Sequence, residues 1–132
     1  MDDDSRRLAV ALVLMRYGVF VVMLMWTLDK FMHPAHAAHV FEKFYAVTGL
    51  GERSMQCIAG VEMLLLGGFL LGIRKPLTYG FVLSAHTLST LAAWRQYLDP
   101  FDNLLFFAAL PMLAACWTLF SLRERDTLLS LR

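Results

Sequence analysis

Residues 8–31 read LAVALVLMRYGVFVVMLMWTLDKF, and this run decides the fold class. Its only charged interruptions are Arg16 and the Asp29-Lys30 pair near its end. A helix crossing the hydrocarbon core needs about 20 residues, so the run is long enough to span a bilayer. It continues well past a typical signal-peptide core without a small-residue cleavage site, so residues from Leu8 onward are read as retained helix. His33-Pro34 then stops or kinks it, because proline lacks the backbone N–H and disfavours helical geometry in the residue before it. Pro34 also suits the first position of a short amphipathic helix over residues 34–45.

Three further apolar runs follow, over residues 55–73, 77–94 and 103–122. The second span carries Glu62 as its one charge, with Gly60, Gly67, Gly68 and Gly72 offering a small-residue face for close helix contact. Arg74-Lys75-Pro76 ends it. The third is the most polar, holding Ser84, His86, Thr87, Ser89 and Thr90, which points to one face shielded from lipid. The fourth contains Pro111, which predicts a kink. Hydrophobic residues make up 58% of the 132 and charged residues 17%, well below the quarter or so of a soluble domain. The expectation is an all-α, single-domain, integral membrane four-helix bundle with a short amphipathic segment after helix 1.

Four crossings return the C-terminus to the side of the N-terminus. Arg6, Arg7, Arg74, Lys75, Arg123, Arg125 and Arg132 then fall on that side, against Lys43, Arg53, Arg95 and the bordering Lys30 opposite. The positive-inside rule makes this a multi-pass inner-membrane protein with both termini cytoplasmic. The histidine-rich first loop and the Asp99–Asp102 loop lie outside. The net charge of +1 is uninformative about partners, and no basic tract points to nucleic acid, so no nucleic-acid partner is expected.

Ionisable groups inside a bilayer are costly, so each needs a partner, a wet cavity or a route to the interface. Counting a rise of about 1.5 Å per residue puts Glu62 and His86 at similar depth, with Asp29 and Lys30 slightly higher. Their convergence predicts an outward-opening polar pocket, with a Glu62–Lys30 pair and a Glu62–His86 hydrogen bond as its neutralising contacts. Such a pocket suits the polar head of a quinone or similar amphiphile, or a proton relay; an interhelical clamp is the purely structural alternative. Arg16 lies deeper, and either snorkels to the cytoplasmic headgroups or bonds carbonyls freed at Pro111.

His33, His36 and His39 recur every three residues and offer ligands for zinc or copper, although no HExxH is present. The competing reading is an interfacial helix with surface histidines. Cys57 and Cys116 differ in level by on the order of 15 Å, too far for a disulfide, and read as packing residues.

Several of these landmarks resemble the DoxX-like family of small membrane proteins. Arg16-Tyr17-Gly18 through Asp29-Lys30-Phe31 is similar to that family's first helix, although the usual Gly shortly before the Lys is replaced by Trp26-Thr27-Leu28. Ile58-Ala59-Gly60-Val61-Glu62 with Leu66-Gly67-Gly68 resembles its second helix, and Asp102-Asn103-Leu104-Leu105 the start of its fourth. The resemblance implies a four-helix accessory or redox-associated subunit, in a family linked to thiosulfate:quinone oxidoreduction and to membrane oxidoreductase complexes. Arg16, Asp29, Lys30, Glu62, His86 and Asn103 are accordingly the candidate ligand-binding residues. No flavin fingerprint, CxxCH or iron–sulfur ligand set is present, so any electron carrier belongs to a partner subunit. A structural or assembly subunit without chemistry, and a small solute or ion transporter, are the alternative functions.

Overall fold

The structure, a computed structural model, describes residues 2–131. Asp2 opens helix α1 (Asp3–Met32), accepting a hydrogen bond from the Ser5 N–H at 2.9 Å. Hydrogen bonds from Ser5 hold the Asp2 carboxyl below the usual carboxylate range. Thirty residues at about 1.5 Å each make α1 about 45 Å long. Its inner seam is Ala9, Leu12, Arg16, Val19, Met23 and Thr27, in steps of three or four as one buried face of a helix requires. Two polar residues, Arg16 and Thr27, therefore lie on the buried face.

His33 breaks the backbone, and α2 (Pro34–Tyr45) follows with Pro34 in its first turn, as the sequence predicts. Ala46 ends it in the left-handed region at φ 55°. Helix α3 spans Glu52–Leu70, shorter at its end than the apolar run, because Gly72 at φ 66° and Arg74 at φ 46° turn the chain sharply. Helix α4 covers Lys75–Ala92. Short 3₁₀ turns at Gln96–Leu98 and Leu104–Ala108 lead into α5 (Ala109–Ser121).

Pro111, from which a kink is expected, lies in the first turn of α5 and not in mid-helix. Because the fourth apolar run opens with a 3₁₀ segment, Pro111 falls in the first turn of α5, where the missing N–H has no intrahelical partner to lose.

The described residues thus form five α-helices and no strand. Helix α1 packs on α3 and α5, and α4 on the same two, so the four longer helices close a ring; α2 lies across α1 and α3. The core runs through Leu12, Val19 and Met23 of α1, Leu66 and Phe69 of α3, Tyr79 and Val82 of α4, and Cys116 and Leu119 of α5. The expected small-residue face of α3 is realised only at its end. A Cβ on Gly68 would press Thr78 Cγ2 at 2.8 Å, whereas Gly60 and Gly67 face open space.

By length and composition, α1 and the continuous 104–121 stretch are apolar enough to cross a membrane. Their outer faces, and those of α3 and α4, expose large aliphatic and aromatic side chains, among them Leu14, Leu64, Leu91 and Trp117.

Candidate functional site

A cavity of about 640 Å³ opens between α1, α4 and α5 at the end of the bundle that carries α2. Helix α1 contributes Gly18, Val22 and Trp26, and α2 contributes Val40, Phe44 and Tyr45 across the top. Phe44 meets Phe106 at a ring-centroid distance of 6.1 Å, so α2 and the second 3₁₀ turn close one side together. Polar groups are few: Ser89, Thr90, His86, Tyr45 and Tyr97 among an otherwise apolar lining. This composition, a concave apolar wall with a few polar groups, is that of a small-molecule site.

His86 is 1% exposed. Its Nε2 lies 2.9 Å from the Ala109 carbonyl and 3.4 Å from Thr90 Oγ1, and its ring stacks on Trp26 at 5.9 Å. Its Nδ1 is buried without a partner, as is the Tyr97 hydroxyl. Buried polar atoms are almost always hydrogen-bonded, so two orphans among the residues lining one cavity mark a place for a ligand or ordered water.

The remaining candidates lie elsewhere. Lys30 Nζ pairs with Glu62 Oε2 at 3.0 Å, and the Thr27 hydroxyl approaches the same oxygen at 3.1 Å, so the expected ion pair forms between α1 and α3. The expected Glu62–His86 hydrogen bond does not: His86 turns to α5, and neither Lys30 nor Glu62 lines the cavity. Depth along the axis matched, but the two side chains point to different neighbours. Trp26 links the two places, since its ring stacks on His86 and its carbonyl lies 3.4 Å from Lys30 Nζ.

Asp29 faces neither site; its carboxylate oxygens lie 3.2 Å from His33 Nδ1 and 2.8 Å from His36 Nδ1. His39 lies apart from them, beside Glu42 on a shallow surface pocket. No three His, Cys, Asp or Glu side chains among the described residues are grouped to hold a metal, so the three-histidine set is not assembled. Asn103 Nδ2 donates to the Asp99 carbonyl at 2.9 Å and holds the exposed loop before α5. Cys57 is exposed and Cys116 buried, both as free thiols.

Arg16 belongs to a second polar cluster at the opposite end. Its Nη1 lies 3.1 Å from the Tyr79 hydroxyl and 3.4 Å from Asp126 Oδ2, and its Nη2 donates to the Leu128 and Leu129 carbonyls at 2.6 and 3.1 Å. Tyr79 in turn donates to Asp126 at 2.7 Å. Neither sequence-based expectation for Arg16 holds: it does not snorkel to the surface, and its carbonyl partners come from the C-terminal tail rather than from around Pro111. Asp126 and Tyr79 were not among the expected site residues; the one signal was that an Arg on a buried seam requires a counter-charge.

Comparison with protein-family models, with curated proteins and with solved structures gave no match.

Proposed function

We propose that this chain is a small multi-pass inner-membrane subunit that binds a quinone-type amphiphile in the cavity between α1, α4 and α5. The observation that carries the reading is the cavity itself: a largely apolar chamber with a few polar side chains, His86, Ser89, Thr90, Tyr45 and Tyr97, among its lining residues. An amphiphile with an aromatic head fits it, since Trp26, Phe44 and Phe106 supply flat apolar walls and the few polar side chains of the lining suit oxygen substituents.

The membrane setting is supported by what the bundle leaves uncovered. Leu64 is 80% exposed and Leu91 65%, and the 104–121 stretch buries little of itself, unlike a soluble core helix. Lipid covers these faces, with α1, α3, α4 and the 104–121 stretch each crossing once. The basic residues at the α3–α4 turn and the tail gather beside the start of α1, which favours cytoplasmic termini. The DoxX-like resemblance agrees with a redox-associated subunit whose electron carriers sit in a partner protein.

The test is ligand-dependent stabilisation of the nanodisc-embedded protein. A short-chain quinone or its reduced form at about a hundredfold excess over Kd should raise stability by about 2.7 kcal/mol. Gly18→Leu, which adds a side chain to the cavity wall where a Cβ meets nothing within 4 Å, should abolish the effect without unfolding the bundle. Stabilisation that survives this substitution, or none with the wild type, would sink the reading.

A further inference from the structure

The residues that line the cavity are sorted along its length. The Trp26–His86 stack at 5.9 Å and the 2.9 Å contact between His86 and the Ala109 carbonyl put these three residues at one level. The other polar lining side chains, Ser89, Thr90, Tyr97 and Tyr45, lie beyond that level, toward α2. Inward of it the lining is Val22, Val19, Gly18 and Met15 of α1 with Met112 and Ala115 of α5, and none of these is polar. This apolar end is deep. Trp26 to Met15 spans about 16 Å of α1 and Ala109 to Ala115 about 9 Å of α5, at about 1.5 Å per residue. An extended hydrocarbon chain advances roughly 1.25 Å per carbon, so this depth corresponds to about seven to thirteen carbons. Small residues give it width: a Cβ on Gly18 would meet nothing within 4 Å, and Ala115 adds only a methyl group. Beyond Met15 and Ala115 the bundle is shut by Leu12, Cys116 and Leu119, all buried in the core. Its side is not shut. Gly18, Val22 and Trp26 of α1, and Leu105 and Ala108 opposite, line the cavity and are also exposed on the outer surface. Of the four seams in the ring, the one between α1 and α5 is packed least closely.

Resting on the cavity reading above, we propose that the ligand is a long-chain amphiphile taken sideways from the lipid through the α1–α5 seam, its ring held at the α2 end and its chain laid inward toward Met15 and Ala115. The polarity of the lining dictates the direction. Reversed, the ligand would bury its oxygens among methyl and thioether groups that offer no donor, which costs their hydration. The depth dictates the class. A ring without a chain leaves the inward end unfilled, and the walls of an unfilled apolar space forfeit their dispersion contacts. The seam dictates the source, because it opens between the two stretches apolar enough to cross a membrane. A chain passing through it exchanges lipid contacts for protein contacts of the same apolar kind, so transfer carries little desolvation cost.

The experiment titrates the nanodisc-embedded full chain with two ligands sharing one quinone ring, one bare and one carrying a chain of about ten carbons. Wild type, Gly18→Leu and Ala115→Leu are compared ligand by ligand, so that partition into lipid cancels. Each substitution should weaken the chain-bearing ligand at least roughly tenfold, the effect of overfilling a packed space, and leave the bare ring within about twofold. A second readout needs no substitution. A photoreactive diazirine at the end of the chain should label Met15, Met112 or Ala115 in the wild type, and this pattern decides if the bare ring binds too weakly to titrate. Labelling at Tyr45 or Tyr97, or parallel loss of both ligands in the variants, would mean the reverse orientation. Labelling confined to outward residues such as Leu14 and Trp117 would mean that the chain stays in the lipid. Either result would overturn the proposal and leave the cavity reading intact. Binding of neither ligand to the wild type, or chain-bearing affinity untouched by both substitutions, would overturn both.

Discussion

Arg16 Nη1 stands 3.4 Å from Asp126 Oδ2 with both side chains fully buried, joining the first helix to the segment after the last. Tyr79 bridges the two, and Lys75 Nζ secures the same segment through the Asp126 carbonyl at 2.7 Å. The C-terminal tail is thereby folded into the end of the bundle, where Leu131 N–H also donates to the Leu71 carbonyl at 2.7 Å.

Removing one partner of a buried pair leaves the other charge without compensation. Asp126→Ala should therefore cost about 3–5 kcal/mol. Tyr79→Phe, which removes a hydroxyl but no charge, should cost about 1–3 kcal/mol. Thermal unfolding in detergent checks both. A change within about 0.5 kcal/mol for Asp126→Ala, the range of an ordinary surface substitution, would show that the pair contributes nothing.

Gly72 has φ 66°, and a Cβ there would meet Ser130 Oγ and lie 2.9 Å from Arg16 Nη1. Gly72→Ala should lift the tail, seen as faster amide exchange and proteolysis over residues 126–131 together with a lower melting temperature. Gly60→Ala is the contrast: its Cβ meets nothing within 4 Å, and removing glycine's backbone freedom from a helix should stabilise α3 by about 0.5–1 kcal/mol.

Lys30 and Glu62 pair at 3.0 Å with side chains 13% and 20% exposed. In a double-mutant cycle with Lys30→Met and Glu62→Leu, the coupling should fall within about 0.5–3 kcal/mol, the range for contacting residues. Glu62→Leu alone should be less stable than the double variant, because it strands the ammonium. Additive effects would mean that the two charges act independently.

Cys57 is exposed near the start of α3, and Cys116 is buried in the core. With the termini cytoplasmic, a membrane-impermeant maleimide added to intact cells should label Cys57, while Cys116 should react only after denaturation. Labelling of Cys57 only after the membrane is permeabilised would invert the orientation.

The helix positions were legible because their signals are local. Apolar runs, the His33-Pro34 break, and Arg74-Lys75-Pro76 place α1 to α4 within a few residues of where they lie. Pro111 reads from the sequence as a mid-helix proline, whereas the preceding residues adopt 3₁₀ geometry and move the α-helical start to Ala109. The Lys30–Glu62 pair was legible from depth alone. His86 was legible as a site residue but not in its partner, since depth says nothing about which neighbour a side chain faces. Asp126 escaped notice because Arg123-Glu124-Arg125-Asp126 reads as a solvated exit, and nothing local signals that the chain turns back.

The run 8–31 by itself determined that an apolar helix long enough to span a bilayer begins the chain, with Arg16 and the Asp29-Lys30 pair as its charged interruptions. Length and hydropathy are properties of one segment, so one sequence suffices to read them. Only the tertiary structure decided what the polar residues meet: Asp126 for Arg16, Glu62 for Thr27, and for His86 a carbonyl on α5 and an open chamber beside it. Those partners depend on how the helices are rotated and ordered around the ring. That arrangement is set by the packing of all of them at once, and it left His86 Nδ1 buried without a partner.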